Sequence, residues 1–178
     1  MTGGGQDLSL QIAAVAAAQA AHESLRARGA TCATAESLTG GLIGAHLTAV
    51  PGSSATYRGG VVTYATQTKA DLLGVPEELL AAHGAVHPDV AKAMASGARR
   101  LLGADFAVAV TGVAGPEPQD GQPVGTVYAA VAGPSGNSVA RALRFTGDRG
   151  GIRYATVEGA LALLDSAVRG DAVDGTRF

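Results

Sequence analysis

Cysteine occurs once in the 178 residues, at Cys32, tryptophan is absent, and aromatic residues make up only 4% of the chain. A lone cysteine excludes an intrachain disulfide framework and suits a reducing compartment. With so few large rings the interior has to be filled by small side chains, and the wealth of alanine and glycine points to tightly packed helices and close backbone approaches. Charge is sparse too: charged residues are 16% of the chain, the net charge is −2, and no block of like sign occurs. A nucleic-acid binder needs a basic stripe to neutralise phosphates, so nucleic acid is not expected as a partner. A local pocket for a ligand bearing one phosphate stays open. Long apolar runs are also missing. The longest helical one, Ile12 to Ala21, is about half of the ~20 residues a membrane span needs, is mostly alanine, and contains Gln19. The first residues lack the basic stretch and cleavage site of a secretory leader. A cytoplasmic protein without a membrane partner is the expectation.

Hydrophobic residues nonetheless form 47% of the chain, enough for the core of one domain. Residues 1–7 are Gly-rich and read as a flexible start, 8–169 as the domain, and 170–178 as a flexible tail. Leu8 to Arg28 predicts a helix stopped by Gly29. Thr31 to Ala35 reads as a short strand ending at Glu36-Ser37, and Gly40 to Ala49 as a helix closed by Pro51-Gly52. Gly60 to Ala65 is a second strand. Thr66 or Thr68 then caps a short helix through Leu73, with Gly74 after it. Pro76 and Gly84 bracket another helix, and Pro88 opens one through Leu102. Phe106 to Val110 is continuously apolar, as a central strand should be. Val113 to Pro123 is a Gly/Pro-rich loop. Gly125 to Ala132 and Ser138 to Phe145 form a hairpin, and Ile152 to Val168 a last helix. Strands alternating with helices indicate an α/β domain of three layers, α/β/α, and the hairpin makes its sheet mixed.

Four places can carry chemistry. In Ala35-Glu36-Ser37-Leu38-Thr39-Gly40-Gly41 a strand runs into a helix whose free amides can bind an anion or hold an oxyanion. The same residues also suit a plain turn in which Ser37 or Thr39 is only a cap. Lys69 follows Val62-Thr63-Tyr64 and lies in the first turn of its helix. There the helix dipole disfavours a cation and, with burial, lowers the amine's pKa as a lysine base requires; on the residues alone a solvated surface lysine is the better reading. Thr111, Gly112 and Gly115 follow the apolar strand, where open α/β sheets bind ligands, or form an ordinary turn. Asp148 can cap the last helix, and Arg149 or Arg153 near its start can pair with a phosphate. The pattern is neither a dinucleotide fingerprint nor a P-loop, and neither GxSxG nor SxxK of the serine hydrolases occurs. His83 and His87 are four apart but separated by Gly84 and followed by Pro88, and no metal site is expected. Cys32 reads as a small core residue.

In order and spacing, these stretches resemble the CinA C-terminal domain family, the nicotinamide-nucleotide amidohydrolases. The matching segments are AESLTGG (35–41), PGSSATYRGGVVTYATQTKADLLGV (51–75), HGAVHPDVAKAMA (83–95), VAVTGVAGPEPQDGQPVGTVY (108–128) and FTGDRGGIR (145–153). The resemblance implies a single-domain form of the family with a mixed five-stranded sheet between helical layers. It implies hydrolysis of nicotinamide mononucleotide to nicotinic acid mononucleotide and ammonia, with no cofactor. It assigns Ser37 as nucleophile, Lys69 as general base and Tyr64 as an aid to proton transfer. Around the substrate it sets Glu36, Thr39, Gly40, Gly41, Thr111, Gly112 and Gly115, with Arg149 or Arg153 for the phosphate. The sequence departs from the family at Gln122, where a lysine is frequent, and at His87, where a serine is common. A non-catalytic nucleotide-binding module, or the same Ser/Lys chemistry on another amide, are the alternatives. The Ala-rich first helix suits packing against a second copy, so a homodimer or higher homo-oligomer is expected.

Overall fold

The computed structural model describes residues 3–171, with side chains from Leu8 onward; Met1, Thr2 and 172–178, which hold parts of the two expected flexible ends, lie outside the described residues. Five strands, β1 (Cys32–Glu36), β2 (Tyr57–Val62), β3 (Phe106–Gly112), β4 (Thr126–Ala132) and β5 (Ser138–Arg144), form one sheet in the order β2-β1-β3-β4-β5. β2, β1 and β3 run parallel, and β4 and β5 add an antiparallel hairpin. The helices are α1 (Gly3–Arg28), α2 (Leu42–Ala49), α3 (Thr66–Leu73), α4 (Glu77–His83), α5 (Pro88–Leu102) and α6 (Arg149–Arg169), with a 3-10 turn at Ser53–Ala55. α1, α2 and α6 cover one face and α3 to α5 the other. The architecture is the α/β/α sandwich with a mixed five-stranded sheet that the sequence predicts. Among the described residues no helix is long and apolar enough to cross a membrane.

The alternation of strand side chains makes the two faces different. Cys32, Phe106, Val108, Val110, Val127, Ala129 and Val131 face α1 and α6, where Leu25, Leu161 and Leu164 complete a bulky core. Ala33, Ala35, Ala107, Ala109, Ala130 and Ala132 face α5. On that side the centre of the sheet presents alanine methyl groups, with Val61 and Tyr128 also packed on this layer, so α5 can lie close against it. Its partner α3 is equally close, since a Cβ added at Gly97 of α5 would collide with the carbonyl of Leu73.

Helix ends follow the punctuation in the sequence. His87 caps α5 by accepting the Asp89 amide at 3.2 Å, with Pro88 in the first turn; a serine would cap in the same way. Asp148 caps α6 by accepting the Gly151 amide at 2.8 Å. α6 therefore starts at Arg149, not at Ile152, and α1 reaches back to Gly3. The expected threonine cap of α3 is not made: Ala65 holds the cap position, and Thr68 donates its hydroxyl to the Ala65 carbonyl. The second strand also differs from the expected Gly60 to Ala65. It pairs from Tyr57 and leaves the ladder after Val62, across a register shift opposite Cys32 and Ala33. The Thr63 amide still reaches the Glu36 carbonyl at 2.9 Å, but the Thr63 carbonyl accepts from Lys69 Nζ at 2.6 Å. That side chain takes the place of the next β1 amide and ends the strand.

Candidate active site

Residues 33 and 35 of β1 face α5 while 32, 34 and 36 face the opposite layer. Ser37, the first residue past the strand, continues the α5 side, and Glu36 points the other way. The Glu36 carboxylate is 1% exposed and accepts three amides at the start of α2, from Gly41 (2.9 Å), Ile43 (3.0 Å) and Gly44 (2.8 Å). Reaching back so steeply requires the left-handed φ of Gly40 and Gly41, 61° and 99°, which residues with a Cβ adopt only at a cost. These amides are thus filled by the protein itself. Of the residues expected around the substrate, Glu36, Thr39, Gly40 and Gly41 at the helix start do not line the cavity beside Ser37. Gly40 donates its amide to the Ser37 carbonyl at 3.0 Å. The amides of Leu38 and Thr39 have no acceptor among the described residues, and Leu38 lines the cavity.

Lys69 is wholly buried. Its Nζ donates to Ser37 Oγ at 3.2 Å and to the Thr63 carbonyl at 2.6 Å. Removal from water lowers its pKa from 10.5 to about 8, opposed by the charge of Asp120. Ser37, 8% exposed, opens into a cavity of about 90 Å³ lined by Tyr64, Ala85, Val86, Thr111 to Gly115, Glu117, Gln119 and Arg149 as well as Leu38. Thr111 and Gly112 are the end of β3, not a loop, and the Thr111 hydroxyl donates to the Ala85 carbonyl at 2.7 Å. Tyr64 lies outside the strand and is 60% exposed at the mouth. Its hydroxyl accepts from Arg149 at 2.7 Å, and the same guanidinium donates to the Gly115 carbonyl at 2.6 Å. Arg153 does not reach the cavity. It donates to the carbonyls of Leu38 (3.1 Å) and Thr39 (2.8 Å) and so fixes the turn after Ser37.

The structure thus brings Ser37, Lys69, Tyr64, Thr111, Gly112, Gly115 and Arg149 together and leaves Glu36, Thr39, Gly40, Gly41 and Arg153 outside the cavity's lining. Ala85, Val86, Glu117 and Gln119 were not legible as cavity residues, since small apolar residues and loop polar groups carry no signature of their own. His83 and His87 stack with ring centroids 4.2 Å apart. Among the described residues no group of three or more His, Cys, Asp or Glu is placed to hold a metal ion.

A family model of the CinA C-terminal domain matches residues 14–168. The chain belongs to that family. CinA-like proteins from Frankia casuarinae and Geobacter sulfurreducens are 54% and 55% identical to it, over 80% and 78% of this chain and 33% and 34% of their own lengths. The chain therefore spans about a third of the curated relatives it matches. Among solved structures, a CinA superfamily protein from Klebsiella pneumoniae superimposes with a TM-score of 0.84 at 38% identity, covering 88% of this chain and 98% of that one. The competence/damage inducible protein CihA from Agrobacterium tumefaciens does so with a TM-score of 0.82 at 42% identity, over 85% and 93%.

Proposed function

We propose that this CinA-family chain hydrolyses the carboxamide of nicotinamide mononucleotide to nicotinic acid mononucleotide and ammonia. The observation that carries the reading is the bond from a fully buried Lys69 to Ser37. With a pKa of about 8, about a tenth of Lys69 is a neutral amine at pH 7, a supply of base that an ordinary surface lysine does not offer. The Thr63 carbonyl holds one N–H of that amine, leaving its lone pair free for the serine proton.

In this mechanism Ser37 Oγ forms a bond to the carboxamide carbon as its proton passes to Lys69. The Leu38 and Thr39 amides directly follow the nucleophile, have no acceptor among the described residues and are assigned to the oxyanion. The C–N bond then breaks, the proton from Lys69 goes to the departing nitrogen, and ammonia leaves. Water attacks the acyl-serine, Lys69 takes its proton and returns it to Ser37 Oγ, and the acid is released. Tyr64, whose oxygen accepts from Arg149, keeps its own hydrogen to donate during these transfers. The cavity has room for a small planar group, not a whole nucleotide. Ribose and phosphate then lie across the mouth, where Arg149 is the cation. The small cavity also favours a second reading, the same chemistry on a different amide; turnover of nicotinamide mononucleotide, nicotinamide riboside, nicotinamide and simple amides separates the two.

The deciding experiment measures ammonia release from nicotinamide mononucleotide by the wild type, Ser37→Ala and Lys69→Ala. Release by the wild type, with losses of at least about a hundredfold in both folded variants, is expected. A wild type that binds the nucleotide without releasing ammonia overturns the reading in favour of a binding module.

A further inference from the structure

The loop between β3 and β4 carries a carboxylate that no step above uses. Asp120 sits at its tip, in a tight turn closed by the Gln119 and Gln122 backbones, which exchange bonds of 3.2 and 2.8 Å. Asp120 and Gly121 hold positive φ of 52° and 71°, the pair a hairpin turn of this hand demands and that Asp-Gly supplies readily. Among the described residues Asp120 is the only non-glycine with positive φ. From there its side chain crosses to the α4–α5 connector, where Oδ2 accepts the Ala85 amide at 2.7 Å. A Cβ at Gly84 would collide with that carboxyl. Ala85 in turn gives its carbonyl to Thr111 at the end of β3. Ala85, Val86, Thr111 and Gln119 all line the cavity beside Ser37, so one carboxylate joins three chain segments into one wall.

We propose that Asp120 is a positioning residue of the Ser37–Lys69 site, holding the α4–α5 connector against β3 through the Ala85 amide and so forming the cavity wall. The proposal rests on the reading of Ser37 and Lys69 as nucleophile and base. A second consequence is electrostatic. Around Lys69 stand Ser37 from the turn after β1 and the Thr63 carbonyl from the segment before α3. The charge of Asp120, on the β3–β4 loop, also acts on the amine, and no charge of α5, packed on α3, does so. The charge of Asp120 opposes the effect of burial on Lys69, so its removal lowers the pH at which the base becomes free.

The chain has two lysines, Lys69 and Lys92, so protein made with 13C-labelled lysine gives two side-chain signals. Lys92, on the surface of α5 and paired with Asp89, is the reference, and Lys92→Arg assigns it. Asp120→Asn keeps an acceptor for Ala85 and removes the charge, whereas Asp120→Ala removes both. The Lys69 midpoint is expected to move to lower pH in both variants. Deuterium exchange at the Ala85 amide is expected to stay slow in the wild type and Asp120→Asn and to quicken about tenfold in Asp120→Ala, as the loss of one bond implies. A Lys69 midpoint that does not move in Asp120→Asn, or Ala85 exchange unchanged in folded Asp120→Ala, overturns the proposal. Should Asp120→Ala fail to fold, Ala85 exchange in Asp120→Gly, which also removes the carboxyl and suits the positive φ of 52°, decides. Neither readout needs turnover, so a wild type that releases no ammonia removes the amidohydrolase reading and leaves this test standing. Where the wild type is active, Asp120→Ala raises KM and Asp120→Asn restores most of it.

Discussion

Burying an ammonium with no carboxylate in bonding distance costs several kcal/mol, and Lys69 is buried with only a hydroxyl and a carbonyl for partners. Its pKa of about 8 in the fold lies below the 10.5 of the free side chain, so between these values the unfolded chain binds more protons than the folded one. Stability from this residue therefore rises with pH across that window, and below pH 8 the whole penalty is present, on the order of 3 kcal/mol. Lys69→Met removes it. In urea unfolding the variant should be the more stable protein at pH 7, and its advantage should shrink as the pH approaches 10. Cys32, whose thiol burial pushes up to about 12, titrates alike in both proteins and cancels from the difference. An advantage that stays constant with pH would count against the buried-ammonium account.

At the scale of elements, α2 begins on a carboxylate from the strand before it. Each amide bonded to Glu36 loses a charged acceptor in Glu36→Gln, and the amide nitrogen of glutamine cannot accept at all. A loss of about 1–3 kcal/mol is expected in chemical denaturation. Element ends marked by local chemistry, such as Pro88 and the glycines after α3 and α6, were readable in the sequence. The end of β2 was not, because a lysine from the next helix captures the Thr63 carbonyl, a tertiary event with no local sign. The same limit explains the site. Motif resemblance singled out Ser37 and Lys69, and the strand order β2-β1-β3 is what lets residues 32 positions apart touch. Glu36 was grouped with its neighbour Ser37, although strand alternation turns it to the opposite face. Asp120 gave no signal, since its partner is a backbone amide 35 residues earlier.

The whole molecule is an asymmetric sandwich, bulky on the α1/α6 side and faced with alanine on the α5 side. The two layers should fail in opposite ways. Leu164→Ala opens a cavity and should cost about 2–5 kcal/mol. Ala109→Leu has no space to fill against α5 and should cost at least about 1–3 kcal/mol through overpacking, whereas an added methylene on a layer with slack would cost little. Denaturant midpoints for the two variants check both expectations. The alanine face also matters in terms of entropy. Alanine has no rotamers to lose on burial, whereas immobilising a lysine costs about 1.5–2 kcal/mol of side-chain freedom. On this side of the sheet the loss of rotational freedom is therefore concentrated in a few side chains, and the longest of them is the one that touches Ser37.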